Sequence, residues 1–128
     1  MSAKIQGLHL CDDLIFTSRV TGTATALGLG VQSVRTLPTL LDRAAQLAPV
    51  CVILDLHFSG MDLPTLVEQL RQHGVARIVG YGSHVEVETL RAARLAGCDP
   101  VWPRSKFVDE LAQALPVWLQ PQCEGRSG

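Results

Sequence analysis

Short apolar runs of strand length alternate with amphipathic helical patterns along the chain, which predicts an α/β domain with three αβα layers and a five-stranded parallel sheet. Three observations carry that reading. Five such runs recur, each followed by apolar residues at three- and four-residue steps. The junctions between runs and helices carry cap and turn chemistry. The middle run, Val50-Cys51-Val52-Ile53-Leu54, is continuously apolar and rich in β-branched residues, as a parallel strand covered on both faces must be.

The first strand is expected over Ile5 to Leu10, ending at the acidic pair Asp12-Asp13. Leu14, Ile15, Val20, Ala24 and Leu27 then mark the inner side of a first helix. Its threonines (17, 21, 23 and 25) are poor helix formers, so this helix must lean on tertiary packing. Gly28 and Gly30 are expected to end it, because glycine supplies the left-handed backbone of a helix stop. Val31 to Val34 is the second strand, and Thr36-Leu37-Pro38 reads as a cap and early proline opening a helix that runs to about Ala48.

The third strand ends on Asp55. Asp62 caps the next helix, whose inner side carries Leu66, Val67 and Leu70 and which closes at His73-Gly74. Arg77 to Tyr81 is the fourth strand. Ser83-His84-Val85-Glu86 has the form of a capping box opening a helix with Val87, Leu90, Ala93 and Leu95 that stops at Gly97. Val101-Trp102 makes a short fifth strand, and Ser105 is the expected cap of a last helix bearing Val108, Leu111, Leu115 and Trp118.

The 128 residues hold 47% hydrophobic and 18% charged side chains, with mean hydropathy +0.22. That suits a globular core and excludes a disordered or fibrous chain. A single domain over residues 1–119 is expected, with 120–128 as a polar tail. Eleven Lys and Arg against twelve Asp and Glu give a net charge of −1, without a basic run. Electrostatically driven binding to nucleic acid or to an anionic membrane is therefore not expected. Cys11, Cys51, Cys98 and Cys123 lack zinc spacing and read as reduced, buried thiols. Neither a signal peptide nor an apolar stretch of roughly 18 residues is present, so a cytoplasmic location is expected.

In parallel α/β sheets the functional crevice lies at the carboxyl ends of the strands. Those ends supply Asp12, Asp13, Asp55, Gly82, Ser83 and Arg104. Three carboxylates gathered there need a cation, whether a divalent metal, the guanidinium or a proton. The local alternative is that Asp13 caps the first helix and Asp55 ends its strand at solvent.

From Ile5 to about Leu119 the pattern resembles the response-regulator receiver family, the CheY-like domains of flavodoxin-like fold. The likeness rests on the order of elements, Asp12-Asp13, Val52-Ile53-Leu54-Asp55 with Met61-Asp62 beyond, and Ala96-Gly97 before the last strand. It implies a strand order of 2-1-3-4-5 with five helices. It also implies that Asp55 accepts a phosphoryl group from a histidine kinase, with magnesium held by Asp12, Asp13, Asp55 and the backbone carbonyl of His57. A carboxylate nucleophile attacking phosphorus needs cations to absorb the developing charge.

Several family features are altered. The place of the switch Ser/Thr falls on Gly82, with Ser83 beside it as a substitute hydroxyl. The place of the lysine falls on Arg104, whose planar fork is not equivalent to an ammonium. The reporter aromatic of the fifth strand corresponds to Val101, and the proline of the usual Lys-Pro turn is replaced by Ser105. Asp12 aligns with the second acid of the pair, which leaves Cys11 at the first; a one-residue shift would restore the pair as Asp12 and Asp13. The resemblance thus implies a stand-alone, non-enzymatic signalling domain with a degenerate phosphorylation switch. Its output passes through a protein partner, or through a homodimer using the fourth helix, fifth strand and fifth helix, near Tyr81, His84, Trp102 and Phe107. The alternative is a pseudo-receiver that binds or dimerises independently of phosphorylation.

Asp55-Leu56-His57-Phe58-Ser59-Gly60 also resembles the D-x-H-x-x-G signature of flavodoxin-like cobalamin binders, but the downstream Ser-x-Leu and Gly-Gly of that family are missing. A flavin or nucleotide site would want a phosphate loop after the first strand, where this chain is acidic. Cys98 and Ser83 have no positioned base in the sequence and read as structural.

Overall fold

The computed structural model describes residues 4–58 and 60–120. Five parallel strands alternate with five helices: β1 (Gly7–Leu10), α1 (Leu14–Ala26), β2 (Val31–Val34), α2 (Leu37–Leu47), β3 (Cys51–Asp55), α3 (Leu63–Gln72), β4 (Arg77–Gly82), α4 (Val87–Ala96), β5 (Val101–Pro103) and α5 (Arg104–Trp118). The sheet order is β2-β1-β3-β4-β5, as the resemblance implies. Leu8 pairs with Val52 and Val52 with Ile78, so the centre of the sheet is a row of large aliphatic groups.

Two cores lie on opposite faces of the sheet. One is built from the inward sides of α2, α3 and α4, with Leu40, Ala44, Leu66, Leu70, Leu90 and Ala93 packed on Leu8, Leu10, Val52 and Leu54. The other places Val20 and Ala24 of α1 and Phe107, Leu111, Leu115 and Trp118 of α5 over Cys51, Ile53, Val79 and Tyr81. Because side chains alternate along a strand, Cys51, Ile53 and Asp55 point to the α1/α5 face. Among the described residues, no helix is long and apolar enough to cross a membrane.

Local chemistry accounts for several helix ends. Asp13 accepts from the N–H groups of Ile15 and Phe16, Thr36 from Thr39 N and Asp62 from Thr65 N. Each oxygen satisfies a backbone donor that the first turn leaves unpaired. Gly28, Gly74 and Gly97 all have positive φ past a helix end.

Other expectations are corrected. Gly30 is not left-handed; a side chain there would strike the Lys4 carbonyl, so what it supplies is room for the chain before β1. The Ser83–Glu86 capping box does not form: α4 is preceded by Glu86 without a side-chain cap, and Ser83 Oγ accepts from Val85 N at 3.3 Å in a local turn. Ser105 does not cap α5, because β5 runs straight into the helix at Pro103 and places Ser105 inside it. Leu14 and Ile15 are 66% and 74% exposed rather than inward, and Val87 and Leu95 are 64% and 79% exposed. The inner face of α1 is Phe16, Val20 and Ala24. β1 is shorter than expected, and Gln6 N instead bonds Gly30 O at 2.8 Å.

Cys11, Cys51 and Cys98 are free and buried. Burial pushes the Cys51 thiol up to about 12 and Cys98 up to about 11, so both stay protonated and unreactive. Cys123 and the expected tail beyond Gln120 lie outside the described residues.

Candidate functional site

Asp55 closes β3, the middle strand of the sheet, and is only 4% exposed. A lone carboxylate at that depth is costly unless its lone pairs are used. They are. Oδ1 accepts from the backbone N–H of His57 at 2.9 Å, in the turn that follows the strand. Oδ2 accepts from the Cys11 thiol at 3.4 Å, across from the neighbouring strand β1. The Arg104 guanidinium at the start of α5 stands 3.9 Å from Oδ1 and lies over the Phe16 ring, 5.3 Å from its centroid. The expected approach of Asp55 and Arg104 is therefore present.

Behind Cys11 runs a polar line through the α1/α5 core. Tyr81 is fully buried, stacked on Phe107 at 4.2 Å and on Phe16 at 5.2 Å. Its hydroxyl lies 2.8 Å from His9 Nε2 and faces the Cys11 side of the core. Cys11 donates to the Asp55 carboxylate. In the Tyr81–His9 pair the imidazole tautomer sets which group donates. His9 Nδ1 is buried without a partner among the described residues.

The electrostatics agree. Burial raises the Cys11 thiol above its ordinary value, and Asp55 acts in the same direction against the Tyr81 and Asp13 hydrogen bonds. Burial, then the charge on Asp55, holds the Tyr81 phenol far above its usual range. Burial lowers His9 to about 4, so it is neutral at pH 7. Cys11 and Tyr81 thus keep their protons, and His9 is a neutral imidazole.

The other expected site residues are not brought in. Asp13 is committed to capping α1, with Ile15 N 2.9 Å and Phe16 N 3.3 Å from its Oδ1, and both Asp12 and Asp13 are exposed. Among the described residues, no three His, Cys, Asp or Glu side chains form a group that could hold a metal ion. Asp12, Asp13 and Asp55 therefore do not assemble as magnesium ligands: Cys11 has the inner position and donates a proton where a metal would need an oxygen lone pair. His57 enters through its N–H, while its ring is exposed and Nδ1 is 3.9 Å from Glu86 Oε1.

Gly82 ends β4 without a hydroxyl. Ser83 is half-buried, and its Oγ is engaged by Val85 N. A Cβ built on Gly82 would meet Leu56 and Leu90 at 3.4 Å, ordinary contact distance. Gly82→Ser is therefore expected to fold with a stability change within about 1 kcal/mol, measured by urea denaturation. A loss of several kcal/mol would show that the site has closed around the missing side chain.

Of the aromatic residues expected at an interaction face, Tyr81 and Phe107 are interior. Their rings are claimed by α1 and α5. Trp102 is half-buried with Lys106 Nζ 5.0 Å from its ring centroid, and His84 is exposed. At the opposite end of the sheet, Arg71, Ala76, Arg77, Ile78 and Asp99 line a cleft of about 320 Å³. There Arg71 donates to the carbonyls of Val75, Ala76 and Gly97 and so ties α3 to the approach to β4 and the end of α4.

Sequence reasoning missed His9 and Tyr81 as parts of the site. The one available signal was a histidine within the otherwise apolar run Gly7-Leu8-His9-Leu10, since an imidazole in a covered strand must find a partner.

No family model and no curated protein matches this chain. Solved structures do. The receiver domain of NtrX from Brucella abortus has a TM-score of 0.73 at 21% identity, covering 88% of this chain and 97% of that one. The chemotaxis response regulator CheY4 of Vibrio cholerae has 0.74 at 17%, covering 91% and 100%. A chain in the co-crystal structure of the Saccharomyces cerevisiae histidine phosphotransfer signaling protein Ypd1 and the receiver domain of Ssk1 has 0.74 at 15%, covering 93% and 91%. At these identities the likeness shows a shared fold: this chain has the architecture of a response-regulator receiver domain.

Proposed function

We propose that this chain is a receiver-type signalling module that works by contact with another protein, with Asp55 as acceptor of a phosphoryl group and a degenerate switch. The observation that supports this most is the position of Asp55: the last residue of the central strand, with a guanidinium 3.9 Å from Oδ1. The donor is a phosphohistidine on a kinase or phosphotransfer protein. An Asp55 oxygen bonds to phosphorus as the P–N bond breaks, and the departing imidazole keeps the electron pair and takes up a proton from water. Arg104 offsets the negative charge of the transferred group.

The switch is degenerate because Gly82 offers no hydroxyl and Val101 no reporter ring. A partner surface on α4, β5 and α5 is part of the same reading, with Val85, Val87 and Leu95 exposed there and a second copy as one candidate partner. The second reading, a phosphorylation-independent binding module, draws on the fact that both Asp55 oxygens already accept hydrogen bonds.

One titration separates them. Beryllium fluoride, a phosphoryl mimic, is added to 15N-labelled protein with and without magnesium, and the His57 amide is followed by NMR. Saturable shifts that vanish in Asp55→Asn support the acceptor reading. A spectrum unmoved under both conditions leaves only the binding module.

A further inference from the structure

We infer that the Asp55 site operates without a divalent metal: Cys11 positions the carboxylate where a metal would, and Arg104 is its resident counter-charge. The inference rests on the reading of Asp55 as the working carboxylate and concerns what surrounds it.

Magnesium takes hard oxygen donors in near-octahedral geometry. Facing Oδ2, however, is a thiol sulfur 3.4 Å away, a soft atom that donates to the carboxylate and offers magnesium no oxygen. A cation approaching Oδ2 would have to displace that sulfur, which is anchored by the Asp13 backbone. The Asp13 N–H donates to Sγ at 3.4 Å, and Sγ lies 3.6 Å from the Asp13 carbonyl. Tyr81 walls the buried side of this pocket, its ring packed against Phe16 and Phe107 and its oxygen 2.8 Å from His9.

The neighbouring acids do not make up the deficit. Asp13 spends its carboxylate on the first turn of α1, and turning inward would strip two backbone N–H groups of their acceptor. On the other side, Arg104 already stands at Oδ1 and repels a second cation. Both carboxylate oxygens thus have their partners, one neutral and one cationic, supplied by the chain itself. Cys11 is a positioning residue in this scheme, acting on Asp55 and on no ligand directly.

The test is a metal titration without any phosphoryl analogue. Magnesium, and then manganese as a paramagnetic probe with the same oxygen preference, is added to the wild type, Cys11→Asp and Cys11→Ser, with the amides of Asp13 and His57 followed by NMR. The wild type and Cys11→Ser are expected to stay unmoved by millimolar magnesium and free of selective manganese broadening. Cys11→Asp is expected to gain saturable shifts and broadening centred on those two amides. Saturable wild-type shifts at His57, or manganese broadening there, would overturn the inference. So would a folded Cys11→Asp that still ignores both ions. If Cys11→Asp does not fold, the wild-type titration decides alone. Failure of the acceptor reading would register separately, as absence of any beryllium fluoride response.

Discussion

Tyr81→Ala lowers unfolding free energy by about 3–5 kcal/mol, the cost of emptying a large aromatic site in a core. The ring is fully buried and contacts Phe16, Phe107 and His9, so the sheet face cannot collapse into the gap without moving α1 and α5 together. Domains of this size hold about 5–15 kcal/mol in total, so the variant is left marginal. Tyr81→Phe keeps the ring and removes only the hydroxyl, leaving His9 Nε2 short of a buried partner at a cost of about 1–3 kcal/mol. Urea denaturation of the three proteins, with m-values compared, reads both numbers. A phenylalanine variant as stable as the wild type would remove the polar line from the energetics of the fold.

The second large effect is a loss of stability in mild acid, caused by His9. Burial lowers its folded value to about 4 from 6.5. Between those two values the unfolded chain binds more protons than the folded one, so stability rises with pH across that window. The contribution is fully present above 6.5 and is lost as pH falls from 6.5 towards 4. The separation corresponds to about 3 kcal/mol. Urea midpoints at pH 7.5 and 4.5 test this, with His9→Gln as the control in which that part of the slope disappears. An unchanged slope in His9→Gln would assign the acid sensitivity to other groups.

How far the residues alone disclosed this molecule depends on the range of the interaction. Caps at Thr36 and Asp62 were readable because donor and acceptor lie within one turn. The covered strand β3 was readable because burial on both faces leaves no polar position from Cys51 to Leu54. Ser83 and Ser105 misled for a related reason: both have good cap chemistry, but β4 and β5 end where the sheet register ends them, so each serine missed the helix boundary. Leu14 and Ile15 kept a helical spacing yet face solvent at the open end of the first turn.

At the site, Asp55 and Arg104 could be placed by topology, since both follow strands that end on the same edge. The hydrogen-bonded line could not. His9 and Tyr81 are 72 residues apart, and nothing local to either names the other. The same limit applied to Cys11, whose place in the acidic pair was legible while its engagement with Asp55 was not. Asp13 had two possible duties, and the helix cap took it because two backbone donors lie within reach of its own carboxylate.

The arrangement of rings in the α1/α5 core has an optical consequence. The chain has one tyrosine and two tryptophans. Tyr81 and Trp118 belong to that core, Trp102 packs against it, and the two indoles lie 5.3 Å apart. Intrinsic fluorescence and the tyrosine and tryptophan bands of the near-ultraviolet dichroism therefore see only the half of the molecule that holds Asp55. The α2–α4 half is dark, so these signals can follow loosening around the site while far-ultraviolet dichroism follows the backbone. Coincidence of the two curves would measure how tightly the faces of the sheet unfold together.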